Sequence, residues 1–309
     1  MKPDKLWLRG VLMVCVTTCL WGFLPIFLKF GLKEFAPETI AWFRFTFAFS
    51  ALLGFFLITG RRLWSVAYRP PVLGALGGLF LAGNYYMMTE GIHLSGPSNS
   101  AVLIQIAPVL LTLVGVLFFG ERLTARQAMG LGVCALGFLL FFNEQNGASL
   151  DPALYSWSSI LIVAAAVSWV GFMICQKLLS QRFDLPLLSM LFYGTAALAL
   201  APFANVASLI SLDWRDAALL IFLGANTLIA YGALAEAVKH ISLTLISVIT
   251  ALNPLLTMLG MQLLSTYFPG HLPVELITTS GYVGAFLAIS GVVLVVWAGK
   301  NKQEALKES

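Results

Sequence analysis

The feature that most constrains this chain is a series of ten long apolar runs, near residues 9–31, 38–59, 72–94, 98–119, 125–142, 157–178, 185–203, 216–237, 242–265 and 276–298, separated by charged or Pro/Gly-bearing breaks. A bilayer core about 30 Å thick is crossed by about 20 helical residues. Ten such runs specify an all-α integral membrane protein with ten transmembrane helices. Composition agrees: 59% of the 309 residues are hydrophobic and only 10% are charged, with a mean hydropathy of +0.90. Soluble domains are roughly a quarter charged, so a water-facing surface is excluded. The spans leave no room for a separate extramembrane domain. The first run is too long for the apolar core of a signal peptide and lacks a small-x-small cleavage site, so it reads as the first span.

The few charges orient the bundle. With the N-terminus inside, Lys2, Lys5, Arg9, Arg61, Arg62, Arg69, Arg122, Arg126, Lys177, Arg182, Lys239, Lys300, Lys302 and Lys307 fall on the cytoplasmic side, 14 of the 18 Lys and Arg residues. That asymmetry places both termini in the cytoplasm. The bases are scattered singly rather than gathered into a patch, which excludes a nucleic-acid partner. Cys15, Cys19, Cys134 and Cys175 lie inside apolar runs without zinc-site spacing and read as small core residues. No metal or cofactor is expected.

The chain also repeats itself. Glu90–Leu113 and Glu236–Leu259 align without a gap at an offset of 146, pairing Glu90 with Glu236, Val102 with Val248 and Pro108 with Pro254. Tyr85 pairs with Tyr231, Trp21 with Trp169, and the glycines Gly130 and Gly137 recur as Gly284 and Gly291. A shared order of matches along the chain indicates duplication. Residues 1–142 then form a first five-helix repeat, 143–156 an external connection, 157–299 a second repeat and 300–309 a cytoplasmic tail. With five helices per copy the second copy enters from the opposite side, so the expected architecture is two inverted repeats.

At this point the sequence resembles the drug/metabolite transporter superfamily, in its ten-helix EamA-type branch, over nearly the whole chain. The resemblance rests on Trp21-Gly22, on Pro37 to Arg44, on Ala101 to Pro108, on Phe119-Gly120-Glu121-Arg122-Leu123-Thr124, and on Gln127 and Gly130. It implies export or exchange of small metabolites, drugs or amino acids through a central cavity lined mainly by the first, third, fourth, sixth, eighth and ninth helices. The second half departs from the pattern. Where a Gly-Glu-Arg-like turn would follow the ninth helix the chain has Ser265 to Glu275, so no role of Glu121 passes to Glu275.

Depth along each helix, counted at 1.5 Å per residue, places Trp21, Asn84, Tyr85, Gln105, Trp169, Asn226, Tyr231 and Asn253 near the midplane as candidates for substrate binding. Pro108 and Pro254 sit in mid-span, where a missing backbone N–H produces kinks that act as hinges or fixed bends. Arg44 lies roughly 10 Å below the outer entry of the second span. A charge there is costly and acquires a partner or a function; it snorkels or packs helices, or it contacts an anionic substrate group or Glu90. Lys29 and Glu90 fall near the outer end of their helices, Lys177 and Glu236 near the inner end. Such sets can close opposite sides of a transporter or simply snorkel.

The expected function is secondary transport of small amphipathic metabolites, amino acids or related aromatic compounds, by alternating access in a bacterial inner membrane. Proton coupling and facilitated diffusion or exchange are both open. The alternative on the same fold is transport of phosphorylated or lipid-linked anions through Arg44. A membrane enzyme acting on lipids is disfavoured because His93, His240 and His271 lie in separate loops without paired carboxylates. Beyond its substrate the chain needs only the surrounding lipid, and it is expected to act as a monomer.

Overall fold

The computed structural model describes every residue except 1–2, 61–71, 120–123, 181, 211, 239, 242–245, 247–248, 271–274, 276 and 309. Of the residues named above, Lys2, Arg61, Arg62, Arg69, Gly120 to Leu123 of the family motif, Lys239, Val248 and His271 lie outside the described residues. The described helices are α1 (Pro3–Gly31), α2 (Pro37–Thr59), α3 (Val72–Ser95), α4 (Pro97–Leu103), α5 (Ile106–Phe119), α6 (Ala125–Ala148), α7 (Pro152–Leu179), α8 (Leu185–Leu200), α9 (Trp214–Val238), α10 (Asn253–Tyr267) and α11 (Thr279–Glu308). A short 3₁₀ turn spans Val206–Leu209. Seven apolar stretches among the described residues are long enough to cross a membrane, with α4 and the first part of α5 counted together as Pro97–Val114. α8 is a shorter apolar helix, and α3 carries Asn84, Thr89 and Glu90 in its second half.

Local chemistry sets the helix starts. Pro37, Pro97 and Pro152 open α2, α4 and α7, where the missing N–H has no intrahelical partner to lose. Thr124 caps α6 in a reciprocal box: its hydroxyl accepts the Gln127 N–H at 3.2 Å and the Gln127 side chain accepts the Thr124 N–H at 3.0 Å. Asp151 caps α7 by accepting the Leu154 N–H at 2.9 Å.

Several boundaries differ from the sequence expectation. The fourth apolar run is split into α4 and α5 at Ile104 and Gln105. α6 continues through Asn143 to Ala148 and α7 begins at Pro152, so the connection between the halves shrinks to Ser149–Asp151. Polar residues hold that extra turn in place: Glu144 accepts from the Ser280 hydroxyl at 2.8 Å, and Asn146 accepts from Ser156 at 3.2 Å. Finally α11 runs on through the expected tail to Glu308.

The main packing pairs are α6 with α11, α3 with α7, α1 with α9, and α2 with α8. The α6–α11 seam is made of small residues. A methyl group at Gly137 would overlap the Ala288 backbone, and one at Gly291 would overlap Cys134. Backbones can approach this closely only where side chains are absent, which is how membrane helices gain dispersion contacts without a hydrophobic drive.

Side-chain to backbone bonds tie α3 to α7 and α1 to α9. Asn84 donates to the Ala165 carbonyl at 2.8 Å and Ser168 to Phe80 at 2.8 Å. Thr17 donates to Ala230 at 3.0 Å and Asn226 to Leu20 at 3.1 Å. Each links neighbours that lack water to bond with. The core behind them joins α2, α3, α7 and α8 around Phe45, Leu81, Phe172, Leu188 and Phe192.

Candidate functional site

The central site is built from the sparse polar residues of these helices. Arg44 on α2 is 3% exposed. Its Nε–H is shared between the Leu223 carbonyl and the Thr227 hydroxyl, both at 3.3 Å. The guanidinium lies 4.5 Å from the Tyr85 ring centre, and the phenols of Tyr193 and Tyr231 also stand within its field. Phe45 closes the cluster, 4.4 Å from Tyr85 and 6.0 Å from Tyr193. Among the described residues no carboxylate reaches salt-bridge distance of Arg44. The cation is therefore held by ring quadrupoles and neutral dipoles, which leaves its net charge uncompensated. It does not snorkel and does not pair with Glu90.

Tyr231 connects this cluster to Trp21, edge to face at 5.4 Å. On either side of Trp21 the α1 backbone is held by second-half residues: Asn226 donates to Leu20, and the Thr257 hydroxyl donates to Gly22. The carbonyl oxygens of the Asn226 and Asn253 side chains are buried there without a hydrogen-bond partner. Buried acceptors are ordinarily satisfied, so these two orphans mark places where a donor can be received. Trp169 packs against the neighbouring apolar cluster instead, and Asn84 is committed to the α3–α7 seam.

Both proline positions coincide with interruptions. In the first half Ile104 and Gln105 form a turn between α4 and α5; in the second, Ala251 and Leu252 form a turn before α10. The rings of Pro108 and Pro254 exclude the carbonyls four residues earlier, Ile104 and Thr250, and withdraw one N–H each. Gln105 donates to the Ala251 carbonyl at 3.4 Å, so the two turns touch. Discontinuous helices at matching places in two halves of a transporter are where binding sites form.

The charged ends make the following contacts. At one end Glu236 pairs with Arg9 at 2.9 Å and with His240 at 3.0 Å; Lys177 is exposed on the last turn of α7. At the other end Lys29 donates to the Ile92 and His93 carbonyls at 3.1 and 2.6 Å, while Glu90 is half-buried on α3. Sequence reasoning missed Glu275, whose carboxylate accepts the Ser98 N–H at 3.2 and 3.3 Å. Gly96 permits this approach: its φ is +90°, and a side chain there would occupy the Glu275 carboxylate's place. The Gly96-Pro97 pair was the available signal. Burial raises the Glu275 carboxyl to about 7, against the opposing pull of the adjacent Ser98 and of Lys29.

Among the described residues the bundle is all-helical, with interrupted helices and an aromatic, cationic centre, an arrangement also found in membrane transporters. The model of the EamA-like transporter family matches residues 8–143 and again 156–297, and the chain belongs to that family, within the drug/metabolite transporter superfamily. It is 32% identical over 303 residues to the uncharacterized inner membrane transporter YhbE of Escherichia coli K12, covering 95% of this chain and 94% of that one. An uncharacterized transporter of Haemophilus influenzae is 29% identical over 93% of this chain and 94% of its own length. A probable amino-acid metabolite efflux pump of Escherichia coli K12 is 25% identical over 96% of this chain and 97% of its own. A crystal structure 17% identical in sequence superposes with a TM-score of 0.61, covering 94% of this chain and 97% of that one, and shares the fold. The protein is a multi-pass inner-membrane transporter.

Proposed function

We propose that the protein exports or exchanges small amphipathic metabolites carrying an anionic group, amino acids or related aromatic compounds, by alternating access between two inverted five-helix repeats with both termini in the cytoplasm. The observation that carries the substrate class is the uncompensated Arg44 guanidinium in its aromatic cage. A carboxylate is the ligand that such a cation lacks. Tyr85, Tyr231 and Trp21 offer faces and edges to an apolar or aromatic body, and the orphaned oxygens of Asn226 and Asn253 offer acceptors to an ammonium group. One relative's name, a probable amino-acid metabolite efflux pump, points the same way.

Inversion draws support from the seam bonds. With third-helix positions paired at an offset of 146 and first-helix positions at 148, Asn84 to Ala165 and Thr17 to Ala230 become the same contact in the two halves. So do Ser168 to Phe80 and Asn226 to Leu20. In each case the donor has moved to the partner helix while the contact remains. In the central cluster Tyr85 pairs with Tyr231 at the same offset, while the counterpart of Arg44 is Tyr193, so the symmetry is broken at the cation. A group on the axis between two inverted halves keeps its surroundings when they exchange conformations, so it can serve both faces.

The test is efflux of a labelled panel from proteoliposomes, with and without a pH gradient. Amino acids or aromatic carboxylates should be moved by the wild type and lost in Arg44→Ala and Trp21→Ala with the fold intact. Selective movement of phosphorylated compounds would favour the anion-transport alternative instead.

A further inference from the structure

A cavity of about 420 Å³ lies at the Glu275 end, away from the Arg44 cluster, and its wall includes Lys29, Ser98, Gln145, Asp151, Tyr155 and Glu275. Its size is within the range of small-molecule sites. Oppositely charged groups, Lys29 and Glu275, stand on this wall within Coulombic reach of each other but form no ion pair. Lys29 spends two of its three donors on carbonyls, and among the described residues Glu275 accepts from the Ser98 N–H. Two further buried atoms on the wall, the Ser98 hydroxyl and Gln145 Nε2, have no hydrogen-bond partner; the hydroxyl lies beside the Glu275 carboxylate without closing a bond of ordinary geometry. Ser98 is 2% exposed. Phe141, Leu154 and Met261 supply an apolar flank. Orphaned buried donors and a separated charge pair cost free energy unless something fills the space between them.

We propose that this cavity is a second binding site, for a small zwitterion whose ammonium group meets Glu275 and whose anionic group meets Lys29 and Gln145. As a station on the exit side it rests on the transporter reading; as a binding site it stands without it. Two sources supply this chemistry, a free amino acid and the head group of phosphatidylethanolamine.

The ligand's ammonium pairs with the ionised carboxylate, so affinity should rise as pH climbs through the Glu275 value of about 7. Among the described residues the other titratable groups facing the cavity are Lys29 from α1 and Asp151 and Tyr155 from the start of α7. Glu144 on α6 is engaged by Thr278 and Ser280, and His93 on α3 contributes its backbone carbonyl to Lys29.

Equilibrium binding of labelled L-phenylalanine and L-glutamine to protein in phosphatidylglycerol nanodiscs tests the free-ligand source, and native mass spectrometry of protein exchanged into phosphatidylethanolamine tests the lipid source. The wild type should bind at least one probe, roughly tenfold more tightly at pH 8 than at pH 6. Glu275→Gln should abolish that pH dependence, and Ser98→Ala should weaken binding severalfold. Because the Ser98 hydroxyl has no partner, the alanine variant should melt no lower than wild type, which separates lost binding from lost folding. Arg44→Ala should retain this site. Binding of every probe that is equal in wild type, Glu275→Gln and Ser98→Ala, or absent altogether, overturns the proposal. These measurements need no flux, so a failure of transport in liposomes is read separately.

Discussion

At the scale of single residues, a lone charge in an apolar run identified Arg44, because its burial is too costly to be incidental. What surrounds it was not legible. Tyr85, Tyr193 and Tyr231 come from α3, α8 and α9, and no local spacing connects positions so far apart in the chain. Glu275 was missed for a similar reason: its significance depends on Gly96 and Ser98, contributed by the other half. The midplane amides divide according to their partners. Asn84 ties α3 to α7, so Asn84→Leu should lower stability by under about 1 kcal/mol and leave substrate affinity unchanged. Asn253 has a buried oxygen that bonds to nothing. Asn253→Ala should therefore hold the melting temperature and reduce substrate affinity. Thermal melts paired with transport KM check both, and the reverse pattern would reassign the two residues. Lysine at position 44 keeps the charge but loses the planar face that stacks on Tyr85, so Arg44→Lys should also impair transport.

At the scale of elements, the spans of α1, α2, α4–α5, α6, α7, α9 and α11 were readable because bilayer thickness imposes one length on every span. The interruption between α4 and α5 was only half readable. Pro108 and Pro254 promised kinks, but the meeting of the two turns through Gln105 and Ala251 is a tertiary fact. Pro108→Ala and Pro254→Ala restore a backbone donor and remove the clash, so each should lengthen its helix through the turn. The expected outcome is a protein that melts at or above the wild-type temperature and transports more slowly; unimpaired flux in both would make the breaks incidental. The α6–α11 seam makes the opposite demand. Gly137→Leu drives a side chain into the Ala288 backbone, and overpacking of about 1–3 kcal/mol or more should appear as a depressed melting temperature. Gly132, with open space where its side chain would be, serves as the control.

For the whole molecule, gapless repetition between Glu90–Leu113 and Glu236–Leu259 already suggested two related halves. Sequence could not show that third-helix and first-helix positions would bond in matched pairs, since those bonds cross from one half to the other. At the charged ends sequence placed lysine and glutamate by depth alone; their contacts include Arg9 and His240 for Glu236 and the Ile92 and His93 carbonyls for Lys29. If the Arg9–Glu236 contact helps close its end, Glu236→Gln should widen spin-label distances there, and unchanged distances would leave it a surface pair. The central claim is that a substrate carboxylate meets Arg44 on the axis between the halves. Counterflow in proteoliposomes tests it most directly, comparing a labelled aromatic amino acid with its decarboxylated amine in wild type and Arg44→Met. The account predicts that wild type accumulates the amino acid and discriminates against the amine, and that Arg44→Met loses the acid by at least roughly tenfold, the equivalent of one charge-assisted bond. Equal counterflow of the acid in both proteins would contradict it.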